Sequence, residues 1–498
     1  MRPFRGLRND PLAPAYDVVV VGAGIGGLIA SNLLARAGLS VLLVEQHYMV
    51  GGYCSTFRRK GYTFDASTHF YPLLGNPETL TGRLLAEIGC RTEWVKMDPV
   101  DTFHFPDGTR FEVPADFDAY RARLDAEFPA ERTALDAFFA AVRKAYLEGL
   151  LYYFRGKDQP GAAATRALTL GEVLDRTFHD RKLKLLLTAD CPHWGSPPGR
   201  TSFVFDSMLR LSYFLGNYYP KGGSQVFADD LARCLEESGG DILMRSPVRR
   251  ILFEDGAARG VEIEVWRGQT MTLERVRCGA VVSNADLLET LETLVGEEHL
   301  PAGTLESVRA LRPTFPCYLL HLGLRGVSRA DLERAQGYYW DSWEMDRVGR
   351  DALRCKLFSP TVYEPAMAPE GGEVLIVQKV QELDYASILD WAGHKEEVHR
   401  FLWAHLDAVL PGARAAVETA TGASALTAWR FTRNHRGAML GWEMSPDQLG
   451  PARPPVSGLV RDLHLVGHWT QPGGGITPVI VSAQQAARTV LSGRLSAR

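Results

Sequence analysis

The sequence predicts an α/β fold, in which a Rossmann-type dinucleotide-binding domain is interrupted by two long stretches of mixed helix and strand patterns. Two segments predict the parallel sheet: a strand, a glycine-rich turn and a helix follow Tyr16, and the same order recurs after Leu463. The stretches between them mix helix-like and strand-like patterns, which indicates inserted domains. At 498 residues the chain is long enough for more than one hydrophobic core.

The first segment carries the glycine pattern of a dinucleotide-binding turn. An apolar, β-branched strand ends at Val21, and Gly22-x-Gly24-x-x-Gly27 leads into a helix with apolar residues at helical spacing. Gly22 allows the tight turn, Gly24 lets the backbone approach a pyrophosphate, and Gly27 permits close packing of helix on strand. The free N–H groups of the helix N-terminus then face the phosphates.

Glu45, 18 residues after Gly27, closes the second predicted strand. A carboxylate there accepts hydrogen bonds from ribose hydroxyls and repels a 2′-phosphate, so it argues against NADP. Because the chain has 48 glycines, the glycine pattern alone is weak evidence. The strand before it, the helix after it and Glu45 together favour a dinucleotide site over a plain βαβ unit with a glycine turn.

Composition and charge exclude other classes of protein. The formal net charge is −4, from 55 Lys and Arg against 59 Asp and Glu, which gives no electrostatic basis for nucleic-acid binding. Seven scattered cysteines predict reduced thiols in a cytoplasmic protein. No apolar run approaches the length of a membrane span. Arg2, Arg5 and Arg8 around Phe4 and Leu7 leave peripheral contact with an anionic membrane as an alternative to a solvated terminus.

No metal site is expected. On the strand predicted for them, His464 and His468 would lie about 13 Å apart, which is too far to share an ion. The sequence also lacks a nucleophile elbow, a P-loop and a kinase signature, so nothing indicates hydrolysis or phosphoryl transfer.

Several further motifs follow Glu45. The first three are a glycine doublet at Gly51-Gly52, a glycine–aromatic strand from Gly61 to Asp65, and a Pro-Lys-Gly-Gly turn before a helix, from Pro220 to Gly223. The other three are a Val-x-x-Ile strand from Val248 to Ile251, a return strand from Ala280 to Asn284, and a glycine loop before the last helix, from Gly467 to Thr477. In these motifs the sequence resembles the flavin amine oxidase superfamily, and in particular its phytoene desaturase, carotenoid isomerase and retinol saturase group. The resemblance covers both chain ends and residues 218–286.

The resemblance implies FAD as the cofactor and a set of residues that hold it, here called the predicted FAD set: Gly22, Gly24, Ile25, Gly26, Gly27, Glu45, Gln46, Gly51, Gly52, Tyr53, Cys54, Ser55, Val248, Asn284, Gly467, His468, Gly474, Gly475, Ile476 and Thr477. His468 stands where the family most often has Asp, so the usual carboxylate contact with the ribityl chain is in doubt. The last helix would lie under the flavin and stabilise negative charge on its reduced form.

The resemblance also implies domain boundaries. It implies a Rossmann-type FAD-binding domain made of residues 1–90, 218–301 and 441–498, with an inserted α+β substrate domain and a helical cap. Residues 91–217 would form the helical cap and the first part of the substrate domain, and residues 302–440 its second part. Within the cap, Leu150 to Phe154 and Phe203 to Phe214 supply large apolar side chains for a substrate tunnel. Ordinary hydrophobic core is the alternative for each stretch.

His69 is the candidate catalytic residue, because it follows the Phe-Asp strand where the family's chain passes the isoalloxazine. A histidine can take up a proton near neutral pH. A hydrogen-bonded structural histidine is the alternative. Lys221 and Gln225 are further candidates to face the site, and a solvated turn lysine is the alternative for Lys221.

The implied activity is that of an FAD-dependent oxidoreductase on a long apolar polyene or isoprenoid. Desaturation, saturation and cis–trans isomerisation all fit, with hydride transfer to or from flavin N5 and with a quinone or oxygen as electron acceptor. One alternative is a flavin amine oxidase that acts on a smaller substrate. Another is a flavin-binding scaffold without catalysis. The oligomeric state stays open.

Overall fold

The computed structural model describes residues 12–67, 69–188, 191–267 and 269–495. Arg2, Arg5 and Arg8, for which membrane contact is an alternative, lie outside the described residues. The strands in chain order are β1 (Ala15–Val21), β2 (Val41–Val44), β3 (Thr56–Arg59), β4 (Tyr62–Asp65), β5 (Trp94–Lys96), β6 (Asp101–His104), β7 (Arg110–Val113), β8 (Tyr218–Pro220), β9 (Asp241–Leu243), β10 (Val248–Glu254), β11 (Ala257–Arg267), β12 (Thr270–Ser283), β13 (Cys317–Arg325), β14 (Gly337–Trp340), β15 (Leu353–Phe358), β16 (Gly372–Val380), β17 (Val417–Ala423), β18 (Ser457–Val460) and β19 (Leu463–Leu465).

The α-helices in chain order are α1 (Ile25–Arg36), α2 (Leu80–Glu87), α3 (Phe117–Glu127), α4 (Arg132–Gly149), α5 (Ala163–Arg166), α6 (Leu170–Thr177), α7 (Arg181–Leu187), α8 (Cys191–Trp194), α9 (Phe203–Phe214), α10 (Ser224–Glu237), α11 (Thr304–Arg309), α12 (Arg329–Ala335), α13 (Trp391–Val409), α14 (Ala425–Thr432) and α15 (Ile476–Leu495). Two π-helical turns, Leu150–Phe154 and Glu289–Val295, extend the helical structure.

Five parallel strands form the centre of the first sheet, in the order β9-β2-β1-β12-β19. Val18 of β1 pairs with Val41 on one side and with Ala280 on the other. This order, in which the chain reverses its direction of winding between β1 and β12, is that of a Rossmann fold and confirms the predicted fold class. The hairpin β10–β11 extends the sheet along the first part of β12.

The β-branched run of β1 is buried from both sides, as its composition predicts. Val18 and Val20 pack with α1, α2, α10 and α15 on one face of the sheet. Val19 and Val21 pack on the other face with β10, β11 and the turn Glu289–Val295. The sheet therefore forms a rigid layer that fixes where its connecting loops end.

The second sheet has the order β17-β13-β16-β15-β14-β6-β7. Its alternating side chains separate a face that packs on α13, with Leu320 and Leu322, from a face that includes Leu319. Strands β6 and β7 show that residues 91–217 contribute to this sheet as well as supplying cap helices. The exact domain boundaries stay predictions.

The described residues bear on the expectations about His464 and His468, metal binding, the cysteines and membrane-spanning segments. Strand β19 ends at Leu465, so the prediction that His464 and His468 share a strand is wrong. In the described part of the chain, no group of three His, Cys, Asp or Glu side chains is arranged to hold a metal ion. All seven cysteines are free thiols, in agreement with the prediction. None of the described helices is long and apolar enough to cross a membrane.

We predict that Gly27→Ala destabilises the fold by about 1–3 kcal/mol, the usual cost of overpacking. A Cβ on Gly27 would overlap the carbonyl oxygen of Gly22 in the turn before α1. Gly493→Ala is the matched control, because Gly493 also lies in a helix but a Cβ there meets nothing within 4 Å. Thermal unfolding should show a lower melting temperature for Gly27→Ala and an equal or higher one for Gly493→Ala. Equal melting temperatures for the two variants would contradict the predicted packing role.

Candidate active site

A cavity of about 570 Å³ is lined by loops of the first sheet and by strands of the second. Its lining includes His69 and every member of the predicted FAD set except Gly27. Motifs that lie at opposite ends of the chain therefore meet at one cavity. Gly27 is absent from the lining because it packs against Gly22, the helix–strand role that the motif predicts.

The glycine turn before α1 closes around the amide of Asn284. The Asn284 N–H donates to Val21 O at 2.8 Å, which places this residue at the carboxyl ends of β12 and β1. A Cβ on Gly24 would lie 2.8 Å from Asn284 Nδ2, and one on Gly467 would lie 3.1 Å from its Oδ1. A side chain at Gly24 or Gly467 would therefore fill the space between the backbone and Asn284 on this side of the cavity, which we call its backbone floor.

The doublet Gly51-Gly52 continues this backbone floor. Gly51 N–H donates to Ala23 O at 2.7 Å, and both doublet residues have positive φ angles, +111° and +59°. Such angles are rarely adopted by residues with a Cβ, which explains the need for glycine here. The doublet therefore presents bare backbone to a ligand.

Neither Lys221 nor Gln225 lines the cavity, so both are wrong as candidate site residues. Lys221 forms an exposed ion pair with Glu93, with 2.7 Å between Nζ and Oε2. Gln225 donates an Nε2–H to Val50 O at 3.0 Å and thereby supports the segment just before the doublet.

Glu45 is held by the backbone on both carboxylate oxygens. Its Oε2 accepts from Ala23 N–H at 2.7 Å, and its Oε1 accepts from His47 N–H at 2.8 Å. Burial raises the pKa of Glu45, while the N–H groups of His47 and Ala23 lower it. Since each oxygen has a second lone pair, the fixed carboxylate can also accept from a ribose hydroxyl. Ser246 N–H donates to Glu45 O at 2.9 Å and brings Val248, a member of the predicted FAD set, close by.

The last helix begins directly beside the first. Helix α15 starts at Ile476, immediately after Gly475, and a Cβ on Gly26 would lie 3.1 Å from Val479 Cγ1. Neither α1 nor α15 has an acidic residue in its first turn. Two unneutralised positive dipole ends therefore face the same cavity, which favours a ligand with negative charge.

His468 lines the cavity as a neutral imidazole that donates a hydrogen bond to Asn434. Its Nε2 lies 2.9 Å from Asn434 Oδ1, and Trp469 Nε1–H donates to the same oxygen at 2.9 Å. An indole N–H can only donate, so Oδ1 is the acceptor and Nε2 of His468 carries the proton, which leaves Nδ1 unprotonated. Burial, assisted by the charge of Arg453, lowers the pKa of His468 to about 3.

His69 lies in the cavity but does not titrate as predicted. Its Nδ1 lies 2.9 Å from Ser67 O and therefore carries the proton, while Gln378 Nε2–H donates to its Nε2 at 3.1 Å. The ring stacks on Phe358 with 4.4 Å between centres. Burial, followed by the charge of Lys356, lowers the pKa of His69 to about 3. The prediction that His69 takes up a proton near neutral pH is therefore wrong.

A polar patch that the second sheet and α8 present to the cavity has no motif in the sequence. We call His193, Tyr338, Lys356 and Gln378 the polar wall; all four line the cavity. Lys356 Nζ lies 2.6 Å from Asp101 Oδ2 and 3.2 Å from Tyr338 Oη. Isolated polar residues within apolar strands were the only sequence signal for this wall.

The apolar part of the lining comes from the cap and the second sheet, and includes Leu150, Tyr153, Phe154, Phe205, Met208, Leu209, Leu319, Leu353, Met439 and Leu440. Both predicted aromatic stretches contribute to it. Phe203, however, is buried within the core of the cap, so the alternative of ordinary core holds for part of its stretch.

The family model described as flavin containing amine oxidoreductase matches residues 25–491. The chain is 29% identical over 504 residues to the all-trans-zeta-carotene desaturase of Myxococcus xanthus, covering 94% of this chain and 92% of that protein. It is 25% identical over 501 residues to the chloroplastic prolycopene isomerase of Daucus carota, covering 95% of this chain and 80% of that protein. An oxidoreductase from Methanosarcina mazei shares the fold, with a TM-score of 0.68 at 17% identity over 95% of this chain and 100% of that one.

The chain belongs to the flavin containing amine oxidoreductase family. This membership confirms the resemblance, FAD as the cofactor and the oxidoreductase class. The flavoprotein's own geometry fits FAD, because bare glycine backbone, the fixed Glu45 carboxylate and two helix N-termini line one cavity. When bound, FAD supplies redox chemistry at its ring system.

Arg453 is a buried cation behind the glycine loop of this flavoprotein. It donates to three backbone carbonyls, those of Trp442, Glu443 and Gln448. Its Nη1 has no hydrogen-bond partner among the described residues and lies 2.9 Å from the place of a Cβ on Gly473. Burial lowers the pKa of Arg453 to about 9, so it still carries its charge at pH 7. After burial, its charge is the second cause of the lowered pKa of His468, a residue of the cavity lining.

We predict that Glu45→Gln lowers FAD affinity at least tenfold. An amide has one acceptor oxygen, so its NH2 group would face the N–H of Ala23 or His47, a loss of about 1–3 kcal/mol. The measurement is FAD titration of the apoprotein and the ratio of flavin to protein absorbance. Asp241→Asn is the control, because Asp241 accepts from Tyr16 Oη at 2.8 Å and lies outside the cavity lining. Full flavin occupancy in Glu45→Gln would refute the role of Glu45.

We predict that Arg453→Met lowers the flavin midpoint potential by roughly tens of millivolts, because a positive charge near the ring favours the anionic reduced form. Arg453→Lys retains the charge and should stay closer to the parent value. Reductive titration against a redox dye measures both variants. A potential that is the same in Arg453→Met and in the parent protein would show that this cation does not act on the flavin.

Proposed function

We propose that this chain desaturates, saturates or isomerises a long apolar polyene or isoprenoid in an FAD-dependent reaction. The observation that carries the proposal is the apolar wall that the cap and the second sheet contribute to the cavity. Such a wall stabilises a polyene by removing its surface from water, at about 25 cal/mol per Å² of buried apolar area. The relatives named as a carotene desaturase and a prolycopene isomerase align over most of the chain and support this substrate class.

We propose that the predicted FAD set holds the cofactor, with Glu45 at the adenosine ribose, the N-terminus of α1 at the phosphates and that of α15 at the flavin ring. Bound FAD supplies hydride transfer at N5. The residues of the chain orient the polyene and exclude water. His69, held by Ser67 and Gln378, contributes a neutral hydrogen-bonding ring and does not supply a proton at pH 7.

The same apolar slot serves all three reactions. Desaturation removes a hydride and a proton from neighbouring carbons, saturation adds them, and isomerisation leaves the electron count unchanged. We propose a quinone or oxygen as the acceptor that reoxidises the flavin after desaturation, since the sequence contains no second dinucleotide motif for a nicotinamide. Peripheral contact with a membrane would deliver so apolar a substrate and stays part of the proposal.

The charge distribution disfavours the amine oxidase alternative. The carboxylates among the described lining residues are Glu45, Asp286 and Glu289, all on segments of the first sheet's side. The second sheet instead presents the buried ammonium of Lys356. A protonated amine at that wall would therefore meet a like charge without a facing carboxylate.

Anaerobic mixing of the holoprotein with polyenes tests the proposed function. We expect an all-trans carotene to bleach the visible band of oxidised flavin, or the reduced holoprotein to saturate or isomerise it, with the product identified by chromatography. Primary amines serve as the comparison substrates. Bleaching by amines and not by polyenes would establish an amine oxidase. A flavin that responds to neither would favour the scaffold without catalysis.

A further inference from the structure

The polar wall occupies one register row across three neighbouring strands. Tyr338 of β14 pairs with Lys356 of β15, and Lys356 pairs with Gln378 of β16. His193 of α8 joins the row, because its Nδ1 lies 3.5 Å from Tyr338 Oη. Hydrogen bonds to one another and to Asp101 and His69 make the burial of these groups tolerable, so the row forms a stable polar strip on an otherwise apolar cavity wall.

Lys356 gives this row a positive pole that faces the cavity. Its side chain is 3% exposed, and its Nζ lies 3.9 Å from the centre of the Phe70 ring. The counter-ion Asp101 lies on β6 and does not line the cavity. The ammonium is therefore the part of the ion pair that a bound molecule meets.

The remaining groups of the polar wall are neutral. Burial, followed by the charge of Lys356, lowers the pKa of His193 well below its ordinary value, as it does for His69. Lys356 and Asp101 cancel each other, so the site has no net charge. A carboxylate would add an uncompensated buried anion, and a protonated amine would add a second cation beside Lys356. A neutral hydroxyl or carbonyl oxygen would accept a hydrogen bond from the cationic pole without changing the charge balance.

Resting on the proposed function, we infer that the polyene substrate carries a neutral oxygen function, a hydroxyl or a carbonyl, which the polar wall binds. A pure hydrocarbon would leave this row facing apolar surface. The inference therefore narrows the substrate class from polyenes in general to alcohols, aldehydes or ketones of a polyene chain. The oxygen function sets which part of the chain is placed in the cavity.

The test compares holoprotein binding of four probes, the all-trans retinyl chain ending in methyl, hydroxyl, aldehyde or carboxylate, by quenching of tryptophan fluorescence. We expect the hydroxyl and aldehyde probes to bind about tenfold more tightly than the methyl and carboxylate probes. Equal affinities for the methyl, hydroxyl and aldehyde probes would overturn the inference and leave the proposed function intact. Failure of every probe to bind would overturn both.

Charge-balanced variants locate the preference. In Lys356→Met combined with Asp101→Asn, the hydroxyl and aldehyde probes should lose their advantage, while the methyl probe stays within about twofold. Lys379→Met is the matched control, because Lys379 is also a buried lysine of this sheet, donates to Arg350 O, and lies outside the cavity lining. It should keep the full preference. If the double variant does not retain flavin, Tyr338→Phe decides, with an expected loss of about threefold for the hydroxyl probe alone. A preference that survives in these variants would contradict the assignment to the polar wall.

Discussion

The rest of the structure depends on the attraction between two helix N-termini and a negatively charged ligand in one cavity. Neither helix has an acidic residue in its first turn that would neutralise its positive end. Helices α1 and α15 begin at Ile25 and Ile476, yet they start side by side because β1, β12 and β19 are parallel neighbours. Parallel strands end at the same edge of a sheet, so the loops that follow them converge there. Two positive dipole ends favour a ligand with negative charge, and the proposed function places the FAD phosphates at α1 and the flavin ring at α15.

The second sheet turns this cofactor site into a substrate site. Side chains along its strands alternate between a face packed on α13 and a face turned to the cavity, and a register shift between β14 and β15 lets both Lys356 and Leu353 line the cavity. The same sheet supplies apolar residues such as Leu319 and Leu353, and it supplies the ammonium of Lys356. The first sheet thereby provides the cofactor site, and the second sheet provides the shape and polarity of the remaining cavity wall.

The part of the site that is predicted to hold the cofactor could be inferred from motifs within short stretches of sequence. The turn from Gly22 to Gly27 and the acid Glu45 lie within one βαβ unit, so their order is visible in a short stretch of sequence. The contact between Gly27 and the Gly22 carbonyl lies inside that unit, whereas Gly24 lies against Asn284, which only the fold brings near. Fold class and cofactor therefore follow from short stretches of sequence.

The substrate half could not be predicted in this way, because its chemistry arises from contacts between distant residues. Lys356 and its partner Asp101 are 255 positions apart, and the strand register that brings Tyr338 and Gln378 beside Lys356 has no local signature. The low pKa of His69 also arises from distant contacts, since burial and the charge of Lys356 set it.

A crystal structure of the purified protein with its flavin tests most directly whether the two helix N-termini share one cofactor. We expect the adenosine ribose within hydrogen-bonding distance of the Glu45 carboxylate, the diphosphate at the start of α1 and the ring at the start of α15. Flavin density at another place in the chain, or a folded protein that takes up no FAD, would contradict this account.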